Sequence, residues 1–113
     1  MVKVSVDLLD NYCLIQVDGE VDASSSIHLD EAMQKAVDAS CPNVLVDCSK
    51  LNYISSAGLG VFMSYIQEME AKEKKLILFN MFEKVYKVFE ILGLHQLLSI
   101  VDTEQEAKKE LVG

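Results

Sequence analysis

The stretch from Val44 to Met63 constrains the fold more than any other, because it reads as a buried strand, a loop and a helix that opens on two hydroxyls. Val44 to Val46 is a short apolar run, largely β-branched and closed by Asp47, which suits a central strand covered on both faces. Leu59, Phe62, Met63, Ile66 and Met69 recur at steps of three and four, the period of one helical face. Between them Ser55 and Ser56 stand where an N-cap is wanted, with Ala57, Gly58, Leu59 and Gly60 as the first turn.

The start of a helix has a definite chemistry. Its first backbone N–H groups have no intrahelical partner, and a serine at the N-cap satisfies one of them with its own oxygen. The remaining donors and the positive end of the helix dipole favour an anion. Gly58 and Gly60 are poor helix formers, each costing about 1 kcal/mol relative to Ala, so their presence implies that something comes close to the backbone. A kinase, a phosphate, a partner surface or a tightly packed neighbouring element each fits that requirement.

Around this centre the chain alternates regularly. Val2, Val4, Val6 and Leu8 alternate with Lys3, Ser5 and Asp7, the period of a half-buried strand. Asp10 and Asn11 mark a tight turn, and Tyr12 to Asp18 reads as the return strand of a hairpin that Gly19 and Glu20 end. Val21 and Asp22 lead into Ala23 to Ser26, a segment rich in helix caps, after which Ile27, Leu29, Ala32, Met33, Ala36 and Val37 form a helical stripe. Residues 39–43 read as a loop in which Pro42 bars continuation of the helix.

The helix after Ser56 fades into the mixed charges of Glu68 to Lys75, a solvated end. Leu76 to Phe79 reads as another buried strand, and Val85, Val88, Phe89 and Leu92 as a helix stopped by Gly93. Leu98 to Val101 is a weak strand, and Asp102 and Thr103 cap a last helix through Leu111. Strand, helix, strand after an opening hairpin implies right-handed crossovers and a mixed sheet. Sites in such sheets lie beyond the carboxyl ends of the strands, which places Asp22, Ser24 and Ser25 on the same surface as Ser56.

Charge narrows the partners. Eighteen Asp and Glu against ten Lys and Arg give a formal net charge of −8, which excludes tracking of a nucleic-acid backbone and disfavours an anionic membrane surface. A partner with a basic patch is favoured. No targeting signal or membrane span is visible, so the protein is expected to be cytoplasmic. Cys13, Cys41 and Cys48 are an odd count without Cys-x-x-Cys spacing and read as buried thiols, with neither a disulfide framework nor a zinc site. His28 and His95 have no metal-ligand spacing, and no cofactor is indicated. Ser56 is not in Gly-x-Ser-x-Gly, and no phosphate-binding Gly-x-x-x-x-Gly-Lys-Ser/Thr loop is present.

Asp47-Cys-Ser-Lys-Leu-Asn-Tyr-Ile-Ser-Ser-Ala-Gly-Leu-Gly-Val-Phe-Met63 resembles the signature of the STAS domain, the family of bacterial anti-sigma factor antagonists. Aligning on Gly58, Leu59 and Gly60 places Ser56 on the family's phosphorylated serine, while Ser55 stands where the family usually has Asp. Gly19-Glu20-Val21-Asp22 looks like the family's segment after the second strand, and Val88 to Leu94 like its helix ending in a Gly-Leu turn.

The resemblance implies an α/β fold: a single STAS-like domain over residues 1–113, with a mixed sheet of about four to five strands opening with a β-hairpin and about four helices packed on it. It implies a binding module without enzymatic activity, an anti-sigma factor antagonist that captures a kinase-type anti-sigma factor when unphosphorylated and so releases a sigma factor. Ser56 is then the phosphorylation site, with Ser55 second, and Asp22, Ser24, Ser25, Ser55, Gly58 and Leu59 the partner-binding residues. A serine kinase and a serine phosphatase are the implied partners. A non-switching STAS scaffold subunit and a small-ligand or nucleotide binder are the alternatives.

Overall fold

In the computed structural model, which describes residues 2–39 and 41–112, the alternating N-terminal segment forms β1 (Lys3–Leu8). Asp10 and Asn11 turn the chain, with the Leu9 N–H donating to the Tyr12 carbonyl at 2.9 Å. The return strand β2 (Cys13–Val21) runs antiparallel, Val4 opposite Val17 and Val6 opposite Ile15. The expected hairpin therefore forms, but its second strand does not stop at Gly19 and Glu20. Gly19 takes a φ of +112°, a conformation open to glycine, and the strand continues to Val21. Ser40, within the expected loop, lies outside the described residues.

The larger departure is β3 (Asn43–Ile54). Its apolar start, Val44 to Val46, is fully buried, as expected of a central strand. The segment after Asp47, read from sequence as a loop, instead carries on pairing with β2 across two register shifts, ending with Glu20 opposite Tyr53 and Val21 opposite Ile54. Ser49, Lys50, Asn52 and Tyr53 are exposed, so only Cys48, Leu51 and Ile54 mark the extension as part of the core. Three anchors at steps of three show neither the alternation of a strand nor the mixed steps of three and four of a helical face, and the length of β2 supplies the missing ladder.

The other elements follow in sequence: α1 (Ser26–Asp38), α2 (Ser56–Ala71), β4 (Lys75–Phe79), α3 (Glu83–Ile91), β5 (Ser99–Val101) and α4 (Glu104–Val112). The sheet order is β1-β2-β3-β4-β5, antiparallel for the first pair and parallel for the rest. Each parallel strand is added on the same side of the last, so right-handed crossovers send α1, α2 and α3 to one face. Their apolar stripes bury with Val44, Val46, Leu76 and Leu78 in the main core. The alternate residues Leu45, Ile77 and Phe79 face the other way, where α4 covers them with Ala107.

Local chemistry fixes the helix ends. Thr103 caps α4, its Oγ1 accepting from the Glu106 N–H at 3.1 Å. Lys74 donates to the Val37 and Ala39 carbonyls at 3.2 and 3.3 Å, a cation at the carboxyl end of α1. The hydroxyl of buried Tyr65 joins α2 to α1 through the Asp30 carbonyl and Gln34 Oε1 at 3.2 and 3.0 Å, and burial pushes this phenol up to about 12. Three residues assigned by period to the core are outside it. Leu8, at the end of β1, is 55% exposed. Ile27 is 58% exposed, and Leu92 is 56% exposed because α3 stops at Ile91. Gly93 (φ +75°) opens a 3-10 turn over Leu94 to Gln96, and Leu94 takes the core position in place of Leu92.

Cysteine pairing is the remaining correction. Cys13 and Cys41 are disulfide-bonded, their Cα atoms 6.0 Å apart, whereas Cys48 is a free buried thiol. The two meet because Cys13 opens β2 directly opposite Val44, three positions after Cys41. That proximity comes from sheet register, which cysteine spacing does not encode. Among the described residues no helix is long and apolar enough to cross a membrane.

Candidate functional site

The ladder between β2 and β3 ends with Val21 opposite Ile54, and it is closed by the Ser55 N–H donating to the Val21 carbonyl at 2.8 Å. The chain therefore leaves the sheet as Asp22 on one strand and Ser55 on its neighbour, roughly 5 Å away across the ladder. Each strand feeds a helix within a few residues, so α1 and α2 begin side by side at this carboxyl edge. Two helix N-termini and the exposed side chains around them form the candidate site.

The two serines have different tasks. Ser55 is the N-cap of α2, in extended backbone (φ −86°, ψ 172°), and its Oγ accepts from the Gly58 N–H at 3.3 Å. Its carbonyl accepts from the Leu59 N–H at 2.9 Å, the first turn of the helix. Ser56 is the first helical residue, exposed, and its hydroxyl makes no hydrogen bond among the described residues. Sequence alone put both at the cap; the structure uses one for capping and leaves the other presented outward.

The glycines divide likewise. A Cβ on Gly58 would lie 2.7 Å from Ile54 Cγ1 and 2.8 Å from Val21 Cγ1, so the absent side chain is what lets α2 seat its first turn on the ends of both strands. Of the possible close neighbours expected from sequence, a packed element is the one found. Leu59 is 3% exposed and anchors the same turn from below. Gly60 is different: a Cβ there would meet nothing within 4 Å, and the position is exposed one turn along the helix from Ser56.

Across the ladder, Asp22 organises the start of α1. Its Oδ1 accepts from the Ser24 and Ser25 N–H groups at 3.0 and 2.9 Å and from their hydroxyls at 2.8 and 2.9 Å. The Asp22 N–H donates to Ser25 Oγ at 3.0 Å, and that hydroxyl also lies 3.2 Å from the Glu20 carbonyl. Hydrogen bonds from Ser24 and then Ser25 hold the carboxyl well below the ordinary carboxylate range, at about 2. The result is an exposed anion of fixed position beside the N-terminus of α2. Ile27 and half-exposed Tyr53 flank this edge as apolar surface; Ile27 was hidden by the helical stripe that assigns it to the core.

In chemical terms the edge offers one accessible hydroxyl, helix N–H groups that suit a phosphate and a fixed carboxylate. The other candidates lie apart from this arrangement in chemistry. His28 Nδ1 is 3.8 Å from Glu31 on the exposed side of α1, and the His95 ring meets Tyr86 edge-on at 6.2 Å between centroids. Burial, with the neighbouring charge of Asp47, pushes the Cys48 thiol far up, which disfavours its thiolate form.

Residues 3–107 match the family model of the STAS domain. An anti-sigma-B factor antagonist of Listeria monocytogenes serovar 1/2a is 29% identical over 92 residues, 81% of each chain. The solved structure of the anti-sigma factor antagonist SpoIIAA in its unphosphorylated form superposes with a TM-score of 0.82 at 23% identity, covering 98% of this chain and 97% of that one. The Bacillus cell fate determinant SpoIIAA in the phosphorylated form gives 0.73 at 22% identity, covering 96% and 99%. These two structures establish likeness of fold.

Two outcomes test the geometry. Gly58→Ala gains up to about 1 kcal/mol of helix propensity but drives a methyl into Ile54 and Val21, for a net loss of roughly 1–2 kcal/mol in urea unfolding; unchanged stability would contradict the close packing. Asp22 stabilises the fold fully above the unfolded-chain value of about 3.9, and that contribution is lost as pH falls toward about 2. A carboxyl NMR titration should place its midpoint near the lower value, and Ser24→Ala should raise it.

Proposed function

The chain belongs to the STAS domain family, and on that footing we propose that it is an anti-sigma factor antagonist whose binding is switched by phosphorylation of Ser56. In its unmodified form it captures a kinase-type anti-sigma factor and so frees a sigma factor. The kinase transfers the γ-phosphoryl group of ATP to the Ser56 hydroxyl, and a serine phosphatase removes it by hydrolysis. The protein itself catalyses neither step, and it works in the cytoplasm with its partners.

One observation carries this reading: Ser55 is engaged as the cap while Ser56, beside it, is exposed and unengaged among the described residues. The replacement of the family's usual Asp by Ser55 leaves the capping task filled, since both residue types serve as N-caps. Phosphorylation would add about −1.5 to −2 charges at the centre of the contact surface. Next to Asp22 that charge opposes docking of any partner surface shaped for the unmodified edge, by repulsion and by desolvation. The helix N-terminus tolerates the phosphate, so the switch acts at the surface.

The partner-binding residues have two levels. Asp22, Ser24 and the partly exposed Ser25 and Ser55 present polar groups at the edge, whereas Gly58 and Leu59 are buried and set the position of the first turn. Exposed Gly60 adds a place where a partner approaches the helix backbone closely. The formal charge of −8 favours a basic contact surface on that partner.

Incubation with the cognate kinase and ATP, followed by intact mass measurement, tests the proposal. The expected product carries one phosphoryl group, forms with Ser55→Ala and does not form with Ser56→Ala. It should lose at least tenfold in affinity for the anti-sigma factor. No phosphoryl transfer, or equal capture before and after it, would leave the non-switching scaffold as the reading.

A further inference from the structure

We infer that Cys13 and Cys41 form a reversible redox modification site, oxidised by low-molecular-weight disulfides such as glutathione disulfide, which locks the β2–α1 unit without being required for folding. The pair is separated by 28 positions, and its Cα distance of 6.0 Å is that of an ordinary disulfide. The bond closes a loop containing all of β2 and α1, and with them Asp22, Ser24 and Ser25.

Three features make the site conditional. Both cysteines already pack in the main core cluster, at 0% and 6% exposure, where reduced thiols are as acceptable as a disulfide. The register of β1, β2 and β3 and the burial of α1 hold the two backbones together independently of the bond. Cys41 sits in the loop between α1 and β3 and is the less buried of the two, so local opening of that loop presents its sulfur first, whereas Cys13 is fixed and fully buried in β2. Cys48 is fully buried in β3 and takes no part.

The chemistry balances as two exchanges. The Cys41 thiolate attacks one sulfur of the small disulfide, whose S–S bond breaks and releases one thiol. The Cys13 thiolate then attacks the Cys41 sulfur of the mixed disulfide and expels the second thiol. Two protein thiols are oxidised, one small disulfide is reduced, and the two protons end on the released thiols. Because the bond constrains the unfolded chain over a loop of this length, the oxidised form should melt higher by roughly 10 °C.

The experiment uses the full chain, reduced and then exposed to glutathione disulfide. The reduced protein should give a folded NMR spectrum. Oxidation should remove two hydrogens in intact mass, join the Cys13 and Cys41 peptides, raise Tm as stated and reverse with dithiothreitol. Cys48→Ala should behave like the parent, and Cys41→Ser and Cys13→Ala should each stay folded without forming the bond. An unfolded reduced chain would make the bond a structural requirement and overturn the inference. So would free thiols after exposure, a persistent glutathione adduct, or an unchanged Tm.

Discussion

The pairing of β2 with β3 along its full length is the constraint on which the site depends. Were the ladder to stop after Asp47, the chain would enter α2 through a free loop and nothing would fix Ser55 against Val21. Because it continues to Val21 and Ile54, two helices start from adjacent strands at one edge, and the absent side chain of Gly58 lets the second seat directly on both strand ends. The position of one exposed hydroxyl thus follows from backbone hydrogen bonds and from a contact of 2.7 Å that only glycine avoids.

From that seat the division of labour follows. Ser55 satisfies an orphan helix donor, Leu59 fills the core beneath, and the Asp22 carboxylate is held in place by Ser24 and Ser25, which donate to it and keep it well below the ordinary carboxylate range. None of these groups needs to move for Ser56 to gain or lose charge. A phosphate at such a position changes the electrostatics met by a docking partner while the sheet below keeps its register. Marginal stability makes this separation useful, since a switch that unsettled the core would cost a large share of the few kcal/mol that hold the domain together.

Most elements were legible in the sequence because each carried its own period: the alternation of Val2 to Leu8, the stripe from Leu29 to Val37, the run Val44 to Val46. The second half of β3 was not, since Ser49 to Tyr53 is mostly polar and its strand conformation is imposed by β2. The same reason hides the Cys13–Cys41 pairing, which exists only once Cys13 stands opposite Val44. Helical period placed Ile27 and Leu92 in the core because it carries no information on where a helix begins and ends against its neighbours. Ser55 and Ser56 were legible as a pair at a helix start, but their roles separate only when the hydrogen bond to Gly58 is seen.

The central claim, that modification of Ser56 alters a surface and leaves the scaffold alone, is met most directly by hydrogen exchange on the unmodified and phosphorylated protein under identical conditions. The account predicts unchanged protection in β2, β3 and the body of α2, with differences confined to Asp22 through Ser25 and the first turn of α2. Loss of protection through α2 or along the β2–β3 ladder on phosphorylation would contradict it, because the switch would then work by loosening the fold.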